Sequence, residues 1–248
     1  MADVAAGAGG LSQREFRLGQ VLSKSFEVFF KHLVVFTLVA ALIWLPAGLA
    51  GFYIESAPPE LRGFAPFVIL AFTFFLQPLS TAIILYGAFQ HMRGRSFNLG
   101  EAIAGGLARF FPLLGVMLLG TLAIMLGLIL LLIPGLILMV MWYVAVPVCV
   151  VEKAGPVQSL SRSQELTKGF RWKLFGLYIL AVVIGMVGGA ILPVLGAAVA
   201  GTIGAFVLQT VWQGVAQAFG SVLIVVAYHD LRAVKEGVDI ERIASVFD

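Results

Sequence analysis

Three groups of residues in this sequence are of types and spacings that could do chemistry. The first is His32, His91 and His229, each at one end of a long apolar stretch, with Asp230 beside the last. Imidazoles and a carboxylate at one depth are the ligands that zinc takes, but none of the local spacings fits a zinc site. Rings with a polar tip also favour a membrane interface. The expectation is therefore no metal and no cofactor. The second group is Gln209, Gln213 and Gln217, at i, i+4 and i+8, which form one polar ladder if the segment is helical. Gln77, Ser80 and Thr81 lie similarly deep in another apolar stretch. Amides withdrawn into hydrocarbon must find partners. Either they hold helices together, at about 0.6 kcal/mol per hydrogen bond, or they line a polar path or headgroup site. No charge lies beside them to drive ions or protons, which favours the first. A transporter predicts a water-accessible cavity reaching Gln213; a packing role predicts sealed glutamines. The third group is Glu152 and Arg162, separated by a reversal at Gly155-Pro156. That reversal can join them as a carboxylate–guanidinium pair at the membrane surface. Arg171 is a rival partner for Glu152, and lipid phosphates are rival partners for Arg162.

No hydrolase, nucleotide-binding or zinc-peptidase signature is present, so the sequence is not read as an enzyme. Cys149 is the only cysteine, which excludes an intramolecular disulfide.

The elements that must position these residues follow from where charge is missing. The chain has 248 residues, 60% hydrophobic and 12% charged, against about 25% charged in a soluble domain. Residues 33–54, 63–90, 110–151 and 174–228 carry no Asp, Glu, Lys, Arg or His. A bilayer-spanning helix needs about 20 apolar residues. The four stretches therefore predict one, one, two and two spans: an all-α, polytopic membrane protein with six transmembrane helices. This excludes a soluble protein, and a nucleic-acid partner despite the net charge of +3. Membrane lipids are the expected partners.

Between the spans lie amphipathic segments. Residues 16–31 place Val21, Leu22, Phe26, Phe29 and Phe30 on one side, with Arg17, Lys24 and Lys31 on the other. Residues 97–110 carry a stripe of Leu99, Ile103, Leu107 and Phe110, and Asn98 with Glu101 predicts a capping box. Both read as helices lying in the interface. Residues 156–168 begin with Pro156, carry Ser159, Ser161 and Ser163, and are followed by Gly169. They predict a helix packed under the bundle. Residues 1–15 read as a flexible tail, 16–230 as a single membrane domain, and 231–248 as a cytoplasmic amphipathic tail with Ile240, Ile243 and Phe247 at helical spacing. Ile133-Pro134-Gly135 predicts the turn between spans three and four. Residues 196–204, rich in Gly and Ala, predict a connector or a shallow re-entrant loop. A surface helix followed by two spans recurs three times in this scheme, supported by Leu18-Gly19-Gln20 against Leu99-Gly100-Glu101 at equal offsets from Phe29-Phe30 and Phe110-Phe111. Gly185 and Gly189 form a small-xxx-small pair that admits a homo-oligomer.

Of 16 Lys and Arg residues, all but Arg62 fall on one side of this topology. Positive residues stay inside, so both termini are expected in the cytoplasm.

One segment resembles a known family. Pro147-Val148-Cys149-Val150-Val151-Glu152, then Leu160, Arg162, Ser163, Leu166 and Gly169, resemble the membrane domain of bacterial glycerophosphoryl diester phosphodiesterases and the related YciC-like inner-membrane proteins. Ser159 stands where that pattern has Ala. The resemblance covers 147–176 and implies a module of the bacterial inner membrane, lipid- or envelope-related, without the catalytic domain. A small transporter or channel using the Gln-lined face of span six is the alternative.

Overall fold

The computed structural model describes residues 16–55, 57–94 and 98–236, and its regular elements among them are all helices. The expected tails at 1–15 and 237–248 lie outside the described residues. In chain order the helices are α1 (Leu18–Lys31), α2 (Leu33–Glu55), α3 (Pro59–Arg62), α4 (Ala65–Met92), α5 (Leu99–Ala108), α6 (Phe110–Leu130), α7 (Leu132–Met141), α8 (Ala145–Val151) and α9 (Pro156–Thr167). The stretch Arg171–Glu236 follows. It holds two helices, α10 (171–199) and α11 (202–236), which meet at the non-helical pair Ala200-Gly201.

Among the described residues five stretches are long and apolar enough to cross a bilayer, the fifth being the 66 residues of α10 and α11 together. Several apolar helices of this length are compatible with a multi-pass membrane protein. Most Lys and Arg lie at one end of the bundle, here called the basic end.

Three boundaries differ from expectation. Residues 196–204 are not a connector or a re-entrant loop, because helix continues on both sides of a two-residue break. Gly201 takes φ 60° and ψ −145°, a conformation that only glycine adopts without strain. Gly196 and Gly204 let the two backbones touch there, since a Cβ on either would strike the other's main chain. The turn between α6 and α7 falls at Leu131, not at Ile133-Pro134-Gly135. Pro134 sits instead in the first turn of α7, where its missing N–H costs nothing. Gly135 packs on Gly127, leaving no room for a side chain. Finally, α11 runs unbroken through His229 to Glu236 rather than ending near 228.

The α7–α8 pair is interrupted at 142–144. The amide of Ala145 bonds to Trp142 rather than to Met141. An orphaned carbonyl inside a bundle is costly. The Ser163 hydroxyl donates to the Met141 carbonyl at 2.8 Å, and that of Thr167 at 3.2 Å. This explains why α9 is rich in small hydroxyl residues. Ser159, Ser163 and Thr167 are fully buried and Ser161 is exposed. Pro156 opens the helix, and Gly169 at φ 92° follows it.

The other short helices also dock on the basic end. α1 buries Val21, Ser25, Val28 and Phe29, and its Phe26 ring lies 4.9 Å from Phe219 of α11. α5 turns Ala102 and Gly106 to α4 and leaves Leu99, Ile103 and Leu107 exposed. The large apolar residues thus face outward and the small ones inward, as suits a helix between bundle and lipid. Its N-terminus is capped by Asn98, whose Oδ1 accepts from the Glu101 amide at 3.2 Å. The other half of the expected box comes from α4: Gln90 Oε1 accepts from the Asn98 amide at 3.1 Å. The core concentrates here, where Val222, Val225 and Val226 of α11 meet Ile84 and Leu85 of α4 and Val148 of α8.

Candidate functional site

Two polar sites stand out, one at each end of α11. At the basic end the chain brings Glu152, on the residue after α8, to Arg162 on α9. Arg162 Nε lies 3.3 Å from Glu152 Oε2. The other Glu152 oxygen accepts from Tyr228 Oη at 2.8 Å. Arg162 also pairs with Glu165 at 3.4 Å and with Glu236. Arg232 Nε bonds to Glu236 at 2.7 Å and its Nη1 to Tyr228 Oη at 3.4 Å. Lys235 caps the Glu165 carbonyl. Three cations and three carboxylates therefore tie the end of α8, α9 and α11 together. Arg171 is not part of this: its Nε is buried without a partner among the described residues. Sequence reasoning found the Glu152–Arg162 pair but missed Tyr228, Arg232 and Glu236. The i, i+4, i+8 spacing of the last three on one helix was the available signal.

The glutamine ladder separates into two environments. Gln217 Nε2 donates to Thr81 Oγ1 at 2.9 Å, tying α11 to α4. Ser80 is fully buried with its hydroxyl unpartnered among the described residues, and Gln77 is half-buried. Gln209 and Gln213 instead line a cavity of about 730 Å³. Its walls come from the second half of α2 (Trp44, Gly48, Gly51, Phe52), from Ile69 of α4, and from the α10–α11 hairpin (Pro193, Thr202, Phe206). Those are the segments furthest from the basic end. The wall is incomplete, since Phe52, Ile69, Thr202 and Gln213 remain exposed. Toward the basic end α2 and α11 close tightly. A Cβ on Gly214 would lie 3.0 Å from the Thr37 carbonyl and 3.2 Å from the Ala41 Cβ. The Gln217–Thr81 bond lies one helical turn further on. The cavity is thus a vestibule closed toward the basic end by the α2–α11 contact, with Gln209 and Gln213 nearest that closure. Sequence analysis anticipated Gln209 and Gln213 but not Trp44 or Thr210, which read as ordinary span residues.

The histidines come together only in part. The rings of His32 and His91 are 4.7 Å apart, edge to face. No set of three metal-ligand side chains gathers among the described residues. Burial, then the neighbouring His91 and Lys31 charges, hold His32 below the usual imidazole pKa of 6.5. The Gly185–Gly189 face is used within the chain: Trp212 donates to the Gly185 carbonyl at 3.1 Å, and its ring lies over Gly188.

Comparison with known proteins finds one family, described as a domain of unknown function (DUF7847), whose profile matches residues 93–231. The chain belongs to the DUF7847 family. No curated protein and no solved structure matches it. The DUF7847 segment contains Glu152, Arg162, Tyr228, Gln209 and Gln213. Trp44 and the α2 wall of the cavity precede it, so the vestibule joins a DUF7847 helix to the preceding part of the chain.

Proposed function

We propose that this chain is a non-enzymatic, multi-pass module of the bacterial inner membrane, with six crossings and both termini in the cytoplasm, that works by holding a lipid. The vestibule carries this reading. It has the size of a small-molecule site, commonly about 300–1,000 Å³, a mostly apolar wall and a few hydrogen-bonding groups at its inner end. No titratable side chain lines it among the described residues, which fits binding rather than acid–base chemistry.

The count of six comes from taking α10 and α11 as separate crossings. In the sequence, all Lys and Arg except Arg62 fall in segments assigned to one side of the six-crossing topology, which supports the orientation. It puts the vestibule in the outer half of the bilayer and the Glu152–Arg162 cluster at the cytoplasmic surface. The order α1-α2-α4, α5-α6-α7/α8, α9-α10-α11 supports a threefold repeat of a surface helix and two crossings. The resemblance of 147–176 to membrane domains accompanying phosphodiesterases supports a lipid-related role.

A transporter is the second reading, favoured by the fact that the cavity reaches Gln213. The close α2–α11 contact at Gly214 and the Gln217–Thr81 bond beyond it argue for a pocket rather than a path. Native mass spectrometry separates the two. Lipid should remain bound to the wild-type protein at one copy per chain. It should be lost in Gly51→Phe, whose ring would enter the cavity, since a Cβ there meets only Ile69 Cδ1 at 3.7 Å. Absence of retained lipid, together with solute flux through reconstituted vesicles, would favour the transporter.

A further inference from the structure

The inner end of the vestibule specifies the kind of lipid, on the reading that the cavity holds one. Glycine contacts give the register of α2 against α11. Gly214 faces Thr37 and Ala41, whereas Gly48 faces Phe206 and Thr210. The helices are therefore antiparallel, and Trp44 falls level with residues 209–211. Trp44 and Gln209 thus meet at one depth on the cavity wall. Trp44 Nε1, which can only donate, and Gln209 Oε1, which can only accept, are both buried and find no partner among the described residues. Unsatisfied polar groups in a low-dielectric setting need an explanation, and a ligand is one. Both side chains line the cavity; the two atoms themselves are covered, so an occupant reaches them only when the indole and the terminal amide turn toward it. Thr210 is already engaged, donating to the Phe206 carbonyl at 2.8 Å.

An occupant matching both atoms as described must donate and accept at one point while carrying no charge, because among the described residues no cation or carboxylate lines the site to receive one. A hydroxyl is the smallest group that does both. An ester only accepts, which suits Trp44 Nε1 but supplies no donor to Gln209 Oε1 in its described orientation, and a phosphate would be left unpaired. Beyond this point Phe52, Ile69, Pro193 and Phe206 form an apolar wall suited to a hydrocarbon chain. We propose that the vestibule selects a lipid with a free, neutral hydroxyl head, seated between Trp44 and Gln209 with its chain along α2 and the α10–α11 hairpin.

Equilibrium binding of radiolabelled 1-hexadecanol and of its methyl ether, measured on the full chain in detergent, tests this. The ether keeps the chain and the acceptor but loses the donor. The alcohol should bind at least about tenfold more tightly. Gln209→Met, close in length and only a weak acceptor, should bring the alcohol down close to the ether's affinity, while Gly51→Phe should abolish binding of both. Equal affinity for the two ligands in the wild-type protein overturns the hydroxyl proposal without recourse to any variant. If that equal binding is still lost in Gly51→Phe, lipid binding itself stands and only the head-group selection falls. If Gly51→Phe changes neither ligand while its melting temperature matches wild type, both readings fall.

Discussion

Arg162 should behave as the hub of the basic-end cluster, and a double-mutant cycle with Glu152 measures how much. The Arg162 side chain is 31% exposed and that of Glu152 21%. Fully exposed pairs are worth about 0.2–1 kcal/mol, and breaking a buried one costs about 3–5 kcal/mol. This pair lies between, at the lower side, because water reaches both groups. Glu152→Gln leaves Arg162 with Glu165 and Glu236 and keeps an oxygen for Tyr228, so about 1 kcal/mol is expected. Arg162→Gln strips a cation from three carboxylates at once, and about 2 kcal/mol is expected. The double variant should cost about 2 kcal/mol, not the sum, giving a coupling near 1 kcal/mol. At about 2–4 °C per kcal/mol for a chain of this size, Arg162→Gln should lower the detergent melting temperature by about 4–8 °C and the double variant by little more. Additive losses would show that the two residues do not interact.

Other expectations follow from the same structure. Ser163→Ala or Thr167→Val alone should cost about 1 kcal/mol or less, because the remaining hydroxyl still satisfies the Met141 carbonyl. The double variant should cost clearly more than the sum, and additivity in thermal melts would count against a shared acceptor. For topology, a cysteine at Gly63, which has open space around it, should react with impermeant maleimide on intact cells. One at the exposed Gln164 should react only after lysis, and the opposite pattern would invert the orientation. His32 should make stability pH-dependent. Its folded pKa lies below the ordinary 6.5, so the unfolded chain binds protons more readily, and stability present above pH 6.5 should fall as the medium is acidified through that value. His32→Gln should flatten that slope between pH 7.5 and 5.5.

Much of the fold is legible because hydrocarbon imposes it. Charge-free runs locate the long apolar helices, and Pro156 with Gly169 bounds α9. What misled was punctuation. Pro134-Gly135 reads as a turn, yet proline is equally at home in a first helical turn, and the break moved to Leu131. The glycines and alanines of 196–204 read as a loose connector, but their small size is what lets two helices touch across Gly196 and Gly204. Of the candidate site, the Gln209–Gln217 ladder was visible as a pattern, yet its division was not. Whether an amide meets Thr81 or faces a cavity depends on the α2 and α4 surfaces opposite. Trp44 joins the site only through the antiparallel register of α2 and α11, which one sequence does not encode in any local spacing. The basic-end cluster was half legible for the same reason: Glu152 and Arg162 are near in sequence, whereas Tyr228 reaches them from 76 residues away.

Fluorescence quenching of Trp44 tests most directly whether the vestibule is a lipid site. The variant needed replaces Trp142, Trp172 and Trp212 with Phe, leaving Trp44 as the only tryptophan. Reconstituted into bilayers of lipids brominated along the acyl chain, Trp44 should be strongly quenched, and aqueous acrylamide should reach it poorly. Gly51→Phe should relieve the bromine quenching by closing the cavity to acyl chains. Efficient quenching by acrylamide, with no response to brominated lipid or to Gly51→Phe, would mean that water fills the vestibule and would contradict the account.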